Sequence, residues 1–174
     1  ALTTTHVAQG WTSDHVIALT TEQVGALTTG QLRALSTANV AAMETRDVAA
    51  LKTNQIAALT TTQINQGLTS DQVIAMTTVQ VASLTTAQIN QGLTTEQVAS
   101  LTTAQVQALG ATQIAALNTT NVAAIETTDI AALKTSQIAA LTTTQVAQGL
   151  TTDQVISLTT AQVQALSATQ LAAL

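Results

Sequence analysis

His6 and His15 are the only imidazoles in this 174-residue chain, and they stand nine residues apart. Two imidazoles with no thiolate or carboxylate alongside make a poor metal centre, because catalytic zinc is held by three protein ligands and structural zinc by four. Asp47 and Asp129 occupy equivalent places 82 residues apart. Glu44 and Lys52, eight residues apart, recur as Glu126 and Lys134. As surface ion pairs these would contribute about 0–1 kcal/mol each. Acid–base catalysis by paired carboxylates would also need a cleft, a nucleophile or water and a substrate wall, and nothing nearby supplies them. No glycine-rich phosphate loop, EF-hand loop, calcium-binding nonapeptide or nucleophile elbow occurs. Trp11, the single aromatic, follows Gly10. Its simplest role is a large core plug, with an exposed binding aromatic as the alternative. These residues predict no catalytic, cofactor-binding or metal-ligating site, no cofactor and no enzyme.

Composition points the same way. Nine acids and four bases give a net charge of −5 with no run of either sign. Nucleic-acid binding needs clustered Lys and Arg to displace counterions, and an anionic membrane surface needs the same, so neither partner is expected. Cysteine is absent, which excludes disulfides and thiolate metal sites. Apolar runs such as Val122-Ala123-Ala124-Ile125 end after four residues, far short of a membrane span, so no membrane insertion is expected. Residues 1–174 are long enough for one domain, and the start at Ala1 without Met suggests a segment of a longer array.

The elements that hold these residues repeat throughout. Starting at each Leu, residues 2–173 divide into 21 units, seventeen of eight residues and four of nine. The long units end in Gln9-Gly10, Gln66-Gly67, Gln91-Gly92 and Gln148-Gly149. Position 1 is Leu, Met, Ile or Trp, and position 6 is always Val, Ile or Leu. Position 3 is Thr or Ser except at Ala111 and Ala168, and position 4 varies freely, as expected of a water-facing place. Position 5 is Gln in 15 units and otherwise His6, His15, Asn39, Asp47, Asn121 or Asp129, so both histidines and both aspartates read first as substitutes for a capping Gln. Residues 35–59 match 117–141 at 19 of 25 positions, and residues 59–83 match 84–108 at 16 of 25. The array therefore grew by block duplication, and the 25-residue offset is a candidate for one turn of a superhelix.

Within a unit, Thr at position 2 and Gln at position 5 have capping-box spacing, and positions 1 and 6 form the matching hydrophobic staple. Units opening Met43-Glu44, Leu51-Lys52, Ile125-Glu126 and Leu133-Lys134 carry poor caps, for which the Thr at position 3 is a substitute. The near-constancy of that Thr suggests a second task, a hydrogen bond to a neighbouring coil. Glycine closing the long units suits a left-handed C′ residue. One continuous helix is excluded, because an eight-residue period drifts by roughly 80° per unit and would expose Leu and Val on all sides. The expected fold is an all-α solenoid of 21 short capped helices with three or four units per turn, with a β-solenoid as the alternative because Thr and Val suit strands.

The hexapeptide Leu150-Thr151-Thr152-Asp153-Gln154-Val155 resembles the opening of TAL-effector repeats. That family's repeat of over thirty residues, base-reading loop and basic surface are missing, so DNA binding does not transfer. The pattern Leu-Thr-Thr-x-Gln-Val/Ile-x-Ala resembles octad tracts of large secreted bacterial haem-utilisation or adhesion-like proteins, and this similarity spans every unit. It implies a stalk, spacer or scaffold outside the cell or at its surface, and it transfers no haem ligand. Neighbouring repeats are then the main partners, with end-to-end self-association of open array ends as a further one. The alternative function is a binding module presenting ordered Thr hydroxyls to ice, glycan or a protein.

Overall fold

The structure is a computed structural model that describes residues 2–174. It contains 21 helical segments and no strand among the described residues, so the chain is all-α and the β alternative falls. Each unit folds in the same way. Its first two residues are extended and make a corner, and the following residues close one to two turns of helix. In the unit with helix Thr53–Ala58, Lys52 is the extended N-cap and Leu59 the extended residue after the helix. Helices this short do not form alone, so caps and packing must support each one.

The caps are those the spacing predicts. Thr60 Oγ1 accepts from Gln63 N at 3.0 Å, and Gln63 Oε1 accepts from Thr60 N at 2.9 Å. The substitute caps behave otherwise. Glu44, Lys52, Glu126 and Lys134 remain the N-caps of their helices, and the Thr at position 3 does not take over. In these units the third helical N–H bonds the N-cap carbonyl instead, as Gln55 N does to Lys52 O at 2.9 Å. In the two Lys units the Gln still receives the N-cap N–H, at 2.7 Å from Lys52 and 2.9 Å from Lys134, whereas in the two Glu units the backbone turn acts alone.

Two of the four long units lodge their ninth residue inside a π-helix, and in a third Gly149 is the C-cap. Gln63–Gly67 and Gln88–Gly92 are π-helical. Leu68 N and Leu93 N reach back five residues to Gln63 O and Gln88 O at 3.0 and 2.9 Å. The left-handed role expected for the closing glycines is not observed, since no glycine among the described residues has positive φ. Space explains Gly67, Gly92 and Gly149 instead, whereas Gly10 has nothing within 4 Å. A Cβ on Gly67 would lie 3.0 Å from Val40 Cβ, and one on Gly92 would lie 3.3 Å from Ile64 Cγ2.

The main helix–helix contacts join units three apart. Thr4–Gly10 packs on Thr29–Ala34, Thr21–Ala26 on Thr45–Ala50, and the two π-helices on each other. One turn of the superhelix is therefore three units, or about 25 residues, and 21 units make seven stacked turns. The 25-residue offset in the sequence is a physical turn. Positions 6 and 1 fill one continuous core, with Ile56, Ile64, Ile89 and Ile130 wholly enclosed and the interior Leu residues nearly so.

Candidate functional site

The residues that could do chemistry separate into three places. His6 and His15 lie at the N-terminal end of the solenoid, where with Trp11, Gln9 and Leu19 they line a depression of about 610 Å³. Each caps its own helix, as a Gln would. His15 Nδ1 accepts from Thr12 N at 3.1 Å, and His6 Nδ1 accepts from Thr3 N at 3.3 Å. In the neutral ring the proton then sits on Nε2, so neither nitrogen offers a free lone pair to a metal. No group of three or more potential ligands gathers among the described residues. Trp11 is half-buried against the core, the plug reading in a place where no coil covers it.

Asp47 and Asp129 do not substitute for the capping Gln. Each is buried, and each accepts a hydrogen bond from a position 3 threonine one turn earlier: Thr21 Oγ1 to Asp47 Oδ1 at 2.8 Å and Thr103 Oγ1 to Asp129 Oδ1 at 2.6 Å. An aspartate is one methylene too short to receive the N-cap N–H, and Asn39 and Asn121 likewise make no capping box. The hydrogen bond expected of the Thr at position 3 thus exists at these two aspartates, and the other position 3 residues make no such bond. Asp47 Oδ2 has no partner, although the residue is wholly enclosed. Glu44 pairs with Arg46 in its own unit, not with Lys52 as its spacing suggested.

The third place runs the length of the molecule. The amide of each interior Gln at position 5 caps its own helix through Oε1 and donates through Nε2 to carbonyls of the turn below. Gln63 Nε2 reaches Leu32 O and Leu35 O, both at 2.8 Å. Gln80 reaches Val48 O at 2.8 Å and Leu51 O at 2.7 Å. Gln145 reaches Ile114 O at 2.8 Å and Leu117 O at 2.7 Å. The acceptors are the position 6 carbonyl four units back and the position 1 carbonyl three units back, the two that flank a corner. Every polar atom of a buried amide is thereby used, which is what makes its burial tolerable. Asn39 and Asn121 keep one of these bonds, to Trp11 O at 3.1 Å and Leu93 O at 2.9 Å.

Reading the spacing within one unit found the cap and missed this ladder. One signal in the sequence points to it. Glu serves a capping box as well as Gln does, yet Glu never stands at position 5. A cap alone does not explain that exclusion; the N–H that Gln donates to the turn below does, and Asp47 and Asp129 are the two units that forgo it by accepting from a threonine instead.

A further concavity is a polar furrow of about 530 Å³ between Thr69-Ser70 and Thr94-Thr95, with Asn65 at its edge. Glu96 is its only ionisable group, and Gln97, which also lines it, spends its amide on Thr94 N, Ile64 O and Leu68 O.

Three-unit turns, a capped helix in every unit and an amide ladder along the axis define an α-solenoid repeat protein. The ALTTAQ repeat matches residues 40–78, 91–119 and 122–160, together more than half of the chain, and the protein belongs to that repeat family. No curated protein matches the chain.

Proposed function

We propose that the chain is a structural array, a non-catalytic stalk, spacer or scaffold that holds other parts of a secreted or cell-surface bacterial protein apart. The amide ladder carries this reading. It puts the most restricted polar residue of each unit to work inside the stack, and leaves the variable positions 4 and 7 outside. The resemblance of the octad to tracts of large secreted bacterial proteins supports the location. No helix among the described residues is long and apolar enough to cross a membrane.

Small-angle scattering tests the mechanical part. Seven turns at roughly 9 Å each make a rod of roughly 65 Å, with a radius of gyration of about 20 Å, against about 16 Å for a compact domain of this length. A value near 16 Å would overturn the spacer reading. Antibody labelling of intact producing cells tests location, and signal only after lysis would refute it.

A further inference from the structure

The polar furrow between Thr69-Ser70 and Thr94-Thr95 lies between inner turns of the stack, away from both ends of the chain. It is open because of one side chain. One turn further on, Asn118 holds the N-cap place that Thr94 holds here, and Asn90 holds the place of Asn65. There the gap is closed: Asn118 Nδ2 donates to Asn90 O at 2.9 Å, and Asn90 Nδ2 donates to Ala116 O at 2.8 Å. Thr94 is too short to span the same gap, and its hydroxyl turns inward to accept from Gln97 N at 3.2 Å. The carbonyl that Asn65 would reach falls inside the π-helix Gln88–Gly92, and the Asn65 amide has no partner among the described residues.

The furrow therefore keeps polar groups that its neighbour consumes. Asn65 offers an amide, Ser70 and Thr95 offer hydroxyls, and Glu96 offers a carboxylate. None of these four side chains makes a hydrogen bond or ion pair among the described residues. The volume of about 530 Å³ falls within the range of small-ligand clefts, roughly 300–1,000 Å³.

The lining decides the class of ligand. No Lys, Arg or His lines the furrow to hold an anion, and Glu96 repels one. A single carboxylate is a poor charge match for a divalent cation. Leu68 is buried in the core, so an apolar ligand finds no wall. A neutral molecule rich in hydroxyls fits: a carboxylate accepts from two adjacent O–H groups at once, and an amide pairs one donor with one acceptor.

We propose that this furrow binds a neutral carbohydrate, with Glu96 accepting from a vicinal pair of sugar hydroxyls and Asn65, Ser70 and Thr95 bonding the groups beside them. No aromatic ring lines the furrow, so affinity is low, with a dissociation constant of about 1–10 mM. The activity goes beyond the spacer role and does not depend on it.

The test is an NMR titration of the isotope-labelled full chain with three separate probes: the methyl glycosides of mannose, galactose and glucose. At least one is expected to shift the backbone signals of Asn65, Ser70, Thr95 and Glu96 together, approaching saturation at about 50 mM. E96A removes the carboxylate at an exposed position. T94N rebuilds the Asn118 arrangement, so that the new amide crosses to Asn65 O and fills the furrow while still capping its helix. Each variant is expected to weaken binding by at least about tenfold, with an unchanged helical circular dichroism spectrum. Calcium chloride or sodium phosphate alone is expected to leave the four signals in place. Silence with all three glycosides, a response to calcium or phosphate in their stead, or undiminished binding by either variant would overturn the proposal.

Discussion

Gln88 shows what one side chain contributes. Its Oε1 accepts from Thr85 N at 2.8 Å, and its Nε2 donates to Ile56 O at 2.9 Å and Leu59 O at 2.7 Å. Replacing it with Glu keeps the cap and turns the donor into an acceptor aimed at two carbonyls inside the stack. Gln88→Glu is expected to cost about 3–5 kcal/mol in urea unfolding at neutral pH, the range for an uncompensated buried charge. Burial and the facing carbonyls would raise that carboxyl's folded pKa above its unfolded one. The stability is thus present when the group is protonated in both states and lost as pH rises, so the penalty should shrink on acidification. Asp47→Asn is the reverse experiment. Asn39 and Asn121 show that the shorter amide reaches the position 1 carbonyl, and Asp47 Oδ2 is buried without a partner. The substitution is expected to stabilise the chain by about 1 kcal/mol, read from the urea midpoint. A destabilising result would mean that the carboxylate's bond from Thr21 and its ion pair with Arg46, 3.8 Å away, outweigh the new donor.

At the scale of the element, the capped helix was legible because all its partners lie within four residues. Thr60 and Gln63 have their spacing whatever the rest of the chain does. The ladder was not legible, since Gln63 finds Leu32 and Leu35 only once a turn is known to hold three units. The role of the glycines was hidden for the same reason: the atom that forbids a side chain on Gly67 belongs to Val40, one turn below. Gly67→Ala is therefore expected to lower stability by about 1–3 kcal/mol through overpacking. Gly10→Ala, at the equivalent place with nothing within 4 Å, should change little. Thermal melts of the two variants compare them directly, and equal losses would show that backbone freedom, not space, requires glycine here.

The whole molecule has three faces, one for each unit of a turn, yet its history does not respect them. The block at residues 35–59 recurs at 117–141, ten units on, and ten is not a multiple of three. The copy of Asp47, Asp129, accordingly lies on a different face from the original while making the same bond to a threonine one turn earlier. This is possible because each unit refers only to units three and four places back, so any unit fits on any face. Disruption is local for the same reason. Under tension applied at its ends, such a chain has no distant contact to hold it as one body. Each turn is released when its own few amide bonds yield, freeing roughly 70–80 Å of extended chain per turn after allowing for the height of the turn itself. Single-molecule pulling is expected to show a train of small, similar steps in place of one large rupture. A stack joined in this way is an extensible link, one that yields turn by turn under load and re-forms when the load is removed.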